Sequence, residues 1–144
     1  MRWITWSGLE SYKDTGMMVV RIGLGLMIML HGWPKLAGGE ARWRRLGQAM
    51  ASFGIDFYPV FWGAMAAFGE FFGGFLILIG LATRPAAMIV CFILYVAAFR
   101  DLSTGGWDLM AASHPIETGL GFLAIVFAGP GAFAIDNRLQ RQGG

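Results

Sequence analysis

Residues 59–85 read PVFWGAMAAFGEFFGGFLILIGLATRP, and this stretch decides the fold because it is long enough to cross a membrane. An α-helix rises about 1.5 Å per residue, so residues 59–81 cover the roughly 30 Å of a bilayer's hydrocarbon core. Glu70 is the one charged residue in that span and lies near its middle. A carboxylate at this depth is costly unless it is paired, protonated or turned toward protein or water. The stretch therefore predicts a transmembrane helix in which Glu70 has a partner.

The composition indicates a single membrane domain. Of the 144 residues, 56% are hydrophobic and 14% are charged, which is too apolar for a soluble domain and too short for two domains. The formal net charge is only +2, and the basic residues are spread over loops and tails. We therefore expect membrane lipids as partners and no nucleic acid. The single cysteine, Cys91, excludes an intrachain disulfide.

The apolar runs predict an all-α integral membrane four-helix bundle. We expect its helices at about 16–33, 59–81, 84–99 and 115–129. Pro34 should end the first helix, because proline disfavours helical geometry at the preceding residue. Thr83 should cap the third helix. An amphipathic segment at about 39–53 should lie in the membrane interface between helices 1 and 2, where its arginines either face lipid headgroups or belong to a lid over the bundle.

The two ends of the chain should lie on one side of the membrane, because four helices cross it. Residues 1–15 are expected to form an interfacial or loosely ordered arm and residues 132–144 a basic, frayed tail. Six Lys or Arg residues fall on the side of the termini and five on the other side. The positive-inside rule, applied to this small excess, places both termini in the cytoplasm.

Polar side chains in the apolar runs predict two pairs inside the bundle. Arg21 lies at a depth from which its long side chain reaches Glu70. His31 ends the first helix on the far side, where Glu117 begins the fourth, so these two should form the second pair. Tyr95 on the third helix would add a hydroxyl group to this polar column. Because Cys91 and Tyr95 share a helical face, packing explains both residues as well.

Small residues beside the carboxylate are expected to leave a cleft, lined by Gly69, Gly73 and Gly74. That space would admit a partner helix, a water or a ligand group. The residues alone leave two explanations open: the polar side chains hold the helices together, or they form a site for a quinone, a proton or a small polar solute. No metal site is expected, because His114 and Glu117 have a spacing too common to indicate one.

The order of these motifs resembles the DoxX family over about residues 19–139. The resemblance rests on Arg21, Gly23, Gly25, His31-Gly32, Lys35-Leu36, Glu70, Gly73-Gly74, Gly80, Thr83-Arg84, Glu117, Gly129-Pro130-Gly131 and Asp136. It implies a four-helix membrane protein. Better-known members of that family are small subunits associated with quinone-linked oxidation of sulfur compounds or with redox-stress complexes, and many members have no established activity.

The resemblance favours a membrane subunit of a quinone-linked oxidoreductase system, and at most such a subunit as far as enzymatic activity is concerned. In this hypothesis Glu70 and Arg21 hydrogen-bond a membrane quinone or relay its proton, while Gly69, Gly73, Gly74, His31, Glu117 and Tyr95 line the site. No haem, flavin or iron–sulfur ligand set is evident, so a redox partner protein would supply the electrons. The alternatives are a proton or small-solute transporter, which discontinuous helices would favour, and a structural assembly subunit. Homo-oligomer formation is left open.

Overall fold

The computed structural model describes residues 7–142, which contain no strand. Residues 1–6 and 143–144, at the ends of the predicted arm and tail, lie outside the described residues. The α-helices are α1 Lys13–Ala37, α2 Gly39–Gly47, α3 Pro59–Ile79, α4 Thr83–Thr104, α5 Ser113–Ala128 and α6 Ile135–Gln142. The described residues also form two 3₁₀-helices, Ser7–Tyr12 and Gln48–Phe53.

The predicted all-α membrane bundle is confirmed. Helices α1, α3 and α4 are each long and apolar enough to cross a membrane, and α5 is a shorter apolar helix of 16 residues. The core forms where α1, α3, α4 and α5 meet, and its largest buried side chains include Ile28, Ile77, Val90, Phe122 and Ile125. Many large apolar side chains face outward, which is the arrangement expected of a bundle solvated by lipid.

Helices α1 and α3 pack through stripes of small residues at spacings of three and four. The buried stripe on α1 contains Arg21, Gly25, Ile28 and Gly32. A Cβ atom added to Gly25 would lie 2.8 Å from the backbone nitrogen of Leu78, and one added to Gly32 would lie 2.6 Å from that of Phe71. The backbones therefore touch, and these two contacts fix the register of α1 against α3.

The prediction that Pro34 ends the first helix is wrong, because α1 continues through Pro34 to Ala37. A proline inside a helix removes one backbone donor, but the Pro34 carbonyl still accepts a hydrogen bond from the Gly38 nitrogen at 3.1 Å. The chain breaks one residue later, at Gly39, whose φ of +63° suits glycine. Helix α2 begins at this residue.

The amphipathic segment between the first two transmembrane helices is divided into α2 and the 3₁₀-helix Gln48–Phe53. Helix α2 lies against the start of α3, where Gly47 and Gly63 allow close backbone approach. Its charged side chains are exposed, and Arg44 pairs with Glu40 at 2.7 Å. The indole nitrogen of Trp43 donates to the Lys35 carbonyl oxygen at 3.0 Å, which ties α2 back to the end of α1.

The end of the chain is a helix that closes one end of the bundle, so the prediction of a frayed tail is wrong for its described part. Residues 135–142 form α6, and Asp136 accepts hydrogen bonds from the backbone nitrogens of Ala82 at 2.7 Å and Thr83 at 2.9 Å. Asp136 thus caps the start of α4, although it lies more than 50 residues later in the chain. The prediction that Thr83 is the cap is wrong, because Thr83 is already the first residue of α4.

Candidate functional site

Glu70 forms an ion pair with Lys35 deep in the bundle. The Lys35 Nζ lies 2.6 Å from the Glu70 Oε1, and the exposed fraction of the side chain is 26% for Lys35 and 2% for Glu70. The other carboxylate oxygen, Oε2, is buried without a hydrogen-bond partner. One Glu70 carboxylate oxygen therefore has a hydrogen-bond partner and the other has none, while the Lys35 side chain reaches the surface of the bundle.

The predicted Arg21–Glu70 pair is wrong, and the helix register explains why. Gly32 packs beside Glu70 and Phe71, whereas Gly25 packs beside Gly74 and Leu78. Arg21 precedes Gly25 by one turn and so lies at the end of α3, where its Nη1 donates to the Ile77 carbonyl oxygen at 3.4 Å. Ile77 is seven residues from Glu70, or about 10 Å along a helix.

Arg21 belongs instead to a polar cluster where α6 meets the turn between α3 and α4. Burial raises the pKa of Asp136, but the hydrogen bonds from Thr83 and Ala82 and the charge of Arg21 outweigh burial and hold that pKa below its ordinary value. The Thr83 hydroxyl is close to this carboxylate without reaching good hydrogen-bond geometry. The cluster fastens helix ends together.

His31 does not meet Glu117 as predicted. Its ring packs edge-on against the His114 ring, with centroids 5.4 Å apart. Among residues 7–142, no hydrogen bond or ion pair joins His31 to Glu117, and both side chains are exposed. Because α5 begins at Ser113, His114 in its first turn comes level with His31, and Glu117 lies about one turn further on.

The predicted cleft beside Glu70 is filled by neighbouring helices. A Cβ added to Gly69 would lie 2.5 Å from the Ile93 Cδ1, one on Gly73 would lie 2.8 Å from the Val90 Cγ2, and one on Gly74 would lie 2.7 Å from the Gly25 carbonyl oxygen. These glycines allow α1 and α4 to approach α3, and they leave no room for a ring.

Tyr95 lies outside the predicted polar column. It is exposed, and its ring is 6.3 Å from that of Phe53. Cys91 lies one turn earlier and is half-buried, with its Sγ 3.6 Å from the Gly119 carbonyl oxygen. Packing inside the bundle therefore explains Cys91 only in part, and it does not explain the exposed Tyr95.

Lys35 is the site residue that the sequence reasoning missed, and a signal for it was present. Arg21, Gly25, Ile28 and Gly32 follow a spacing of four, three and four, and the next member of that series is residue 35. Pro34 hides this member of the series, because proline disfavours helical geometry at the preceding residue and so predicts a helix end there. Continued through the proline, it places the Lys35 side chain on the face that meets Glu70.

Comparison with known proteins now assigns the family. The DoxX family model matches residues 16–100, which is more than half of the chain and includes α1 to most of α4. This chain belongs to the DoxX family. The region matched contains both Lys35 and Glu70.

Two relatives of this DoxX protein come from Escherichia coli (strain K12). The inner membrane protein YqjF is 29% identical over 137 residues, which cover 93% of this chain and 99% of YqjF. The inner membrane protein YphA is 28% identical and covers 85% of this chain and 89% of its own. No solved structure matches the chain significantly. The relatives and the apolar helices together identify a membrane protein.

The geometry gives the Lys35–Glu70 pair two chemical abilities. The ammonium is a donor that is partly open to the outside of the bundle, and the free carboxylate oxygen is an acceptor or a proton carrier in a water-poor region. The Trp33 and Phe71 rings have centroids 5.6 Å apart, and in sequence Trp33 stands two residues before Lys35 and Phe71 directly follows Glu70. A ligand that offers both an acceptor and a hydroxyl donor beside a flat apolar ring fits these groups.

Proposed function

We propose that this DoxX protein is a membrane subunit of a quinone-linked redox system, with Lys35 and Glu70 as its polar contact for the quinone head. The observation that supports the proposal is the buried, unpartnered Oε2 of Glu70 next to a lysine whose side chain is partly exposed. A buried carboxylate oxygen without a donor is costly, and a ligand hydroxyl would remove that cost.

Each residue has a defined task in this proposal. Lys35 donates a hydrogen bond to a carbonyl oxygen, and Glu70 accepts one from a hydroxyl or takes its proton. Trp33 and Phe71 offer aromatic surface beside the pair. A quinone supplies two-electron redox chemistry when bound, with the electrons exchanged with a partner protein. The proposed position of the quinone head is therefore beside Lys35 and Glu70, and not in the cleft predicted at Gly69, Gly73 and Gly74.

Labelling with a photoreactive azidoquinone in native membranes tests the proposal. We expect the label on residues 31–37 or 67–74, competed by unlabelled quinone, and reduced at least fivefold in Glu70→Gln and Lys35→Met. Lys13→Met makes the same substitution at an exposed position of α1 and should label normally. Equal labelling of all variants would refute the proposed site, as would a Glu70→Gln protein with undiminished quinone-dependent activity.

A second candidate, a proton or small-solute transporter, is favoured by the Glu70 carboxylate, which is buried inside the bundle and linked to its surface through the partly exposed Lys35. Ionisable side chains inside membrane bundles commonly mark proton or ion pathways. Reconstituted liposomes with an internal pH dye distinguish the two functions. Proton flux that is lost in Glu70→Gln supports transport, whereas a redox subunit shows none.

We further propose that both termini face the cytoplasm, because six Lys or Arg residues fall on the side of the termini and five on the other side. The Asp136 cluster would then lie on the cytoplasmic side. Labelling of an introduced Ser7→Cys in whole cells, in a Cys91→Ala background, tests this orientation: an impermeant maleimide should react only after the cells are opened.

A further inference from the structure

Three arginines converge on one pocket at the end of the bundle opposite α6. Arg42 and Arg45 are three residues apart on α2, Arg100 lies near the end of α4, and together with Leu46 they line a space of about 310 Å³. The three arginine side chains are exposed. Two separate elements of the chain therefore contribute positive charge to one cavity.

The charges in this pocket are poorly compensated. Within residues 7–142, Arg42 and Arg45 have no ion pair, and Arg100 has only a loose one, with its Nη1 3.9 Å from the Asp101 Oδ1. The nearby Arg44 differs, because Glu40 holds it at 2.7 Å. Guanidinium groups remain charged at all physiological pH values and repel one another at short range. An anion between them would relieve the repulsion and accept several hydrogen bonds.

An apolar groove begins where the arginine pocket ends. Leu46 lines both, and the groove has a volume of about 330 Å³. It runs between the amphipathic segment, α3 and α4, and its walls include Met50, Met65, Ile89, Phe92 and Val96. Its size falls within the range of about 300–1,000 Å³ that is usual for ligand sites. Charge at one end and apolar walls at the other match an amphiphile.

We propose that this surface binds one anionic phospholipid, with its phosphate on Arg42, Arg45 and Arg100 and an acyl chain in the groove beside Leu46. Charge complementarity selects an anionic headgroup over a zwitterionic one. The groove selects a lipid over a soluble anion, because only a lipid fills it with hydrocarbon. The site does not involve Lys35 or Glu70, so it stands independently of the redox proposal.

Native mass spectrometry of the delipidated protein tests the three arginines. Wild type should retain added phosphatidylglycerol, and the Arg42→Gln/Arg45→Gln/Arg100→Gln variant should bind it about 100-fold more weakly, at roughly fivefold per arginine. The control variant Arg44→Gln/Arg138→Gln/Arg141→Gln also removes three positive charges, outside the pocket, and should lose less than threefold. Equal losses in the two variants, or no loss in the first, would overturn the proposal.

Ligand comparison on the wild-type protein tests the groove without relying on any variant. Phosphatidylcholine with the same acyl chains should bind at least tenfold more weakly than phosphatidylglycerol. Glycerophosphoglycerol, the headgroup without its chains, should not compete at equal concentration. Competition by this soluble headgroup would show a simple anion site and would contradict the lipid assignment, as would equal binding of phosphatidylcholine.

Discussion

Among single residues, Lys35 and Glu70 have the largest consequences, because they form an ion pair between two membrane helices in which the carboxylate is buried. Lys35 approaches Glu70 to 2.6 Å, which is a short, charge-assisted contact. Burial of both groups costs desolvation energy that their attraction only partly offsets. Such a pair gives little net stability, but the loss of one partner leaves an uncompensated charge.

We predict that Lys35→Met lowers the free energy of unfolding by about 3 kcal/mol, because it leaves the Glu70 carboxylate buried and unpaired. The measurement is reversible unfolding in mixed micelles. Lys13→Met, the same change at an exposed position of α1, should stay within about 0.5 kcal/mol of wild type. A Lys35→Met protein as stable as Lys13→Met would show that the ion pair is absent.

Among the helices, glycines decide how closely α1 approaches α3. Gly25 lies in this contact and Gly23 lies outside it, so the two positions permit a matched comparison. A Cβ on Gly25 would meet the Leu78 nitrogen at 2.8 Å and the Gly74 carbonyl oxygen at 2.9 Å, whereas a Cβ on Gly23 has nothing within 4 Å. Backbone atoms cannot move aside as side chains do. The same substitution therefore has opposite consequences two residues apart.

We predict that Gly25→Ala lowers the unfolding free energy by about 2 kcal/mol through overpacking. Gly23→Ala should raise it by up to about 1 kcal/mol, because alanine is the better helix former. Thermal unfolding in the same detergent compares the two. If Gly25→Ala proves as stable as Gly23→Ala, α1 and α3 are not in backbone contact at this point.

At the scale of the whole molecule, Asp136 joins the end of the chain to the centre of the sequence. Its backbone nitrogen donates to the Gly80 carbonyl oxygen at 2.9 Å, and its carboxylate caps α4. On the same side of the bundle, the Asp14 Oδ1 accepts from the Ala132 nitrogen at 2.9 Å. The last described residues thus close the bundle through hydrogen bonds to three other parts of the chain.

We predict that Asp136→Ala lowers the unfolding free energy by about 1 kcal/mol near pH 7, the usual effect of losing a helix cap. Because folding lowers the Asp136 pKa, its contribution is full above the unfolded pKa of about 3.9 and is lost as the pH falls through the folded pKa. Stability measured from pH 7 to pH 3 should show the gap between wild type and variant shrinking below about pH 4. The exposed Asp56 supplies the control, Asp56→Ala, which should show no gap.

Much of the fold was predictable because lipid-facing helices are long apolar runs whose number and approximate bounds can be read directly. The identity of Glu70 as a buried charge in need of a partner was also predictable. The predicted partner, Arg21, is wrong, because Pro34 indicates a helix end that the structure does not have, and a helix ending there excludes Lys35 from the bundle. Proline is tolerated inside membrane helices when neighbouring groups satisfy the freed backbone.

The long-range contacts required the structure. Asp136 lies 54 residues after Ala82, and no local pattern indicates that it caps α4. Gly69, Gly73 and Gly74 are equally consistent with an open cleft and with a filled one until the facing helices are in place. The meeting of Arg42 and Arg45 with Arg100 likewise depends on how the amphipathic segment packs against α4.

Two double-mutant cycles on the unfolding free energy measure directly whether Glu70 is paired with Lys35. One combines Lys35→Met with Glu70→Gln, and the other combines Arg21→Met with Glu70→Gln. The Lys35–Glu70 pairing predicts a coupling energy above about 1 kcal/mol for Lys35 with Glu70, and additivity within about 0.5 kcal/mol for Arg21 with Glu70. Additive Lys35 and Glu70 substitutions, or strong coupling of Arg21 to Glu70, would contradict it.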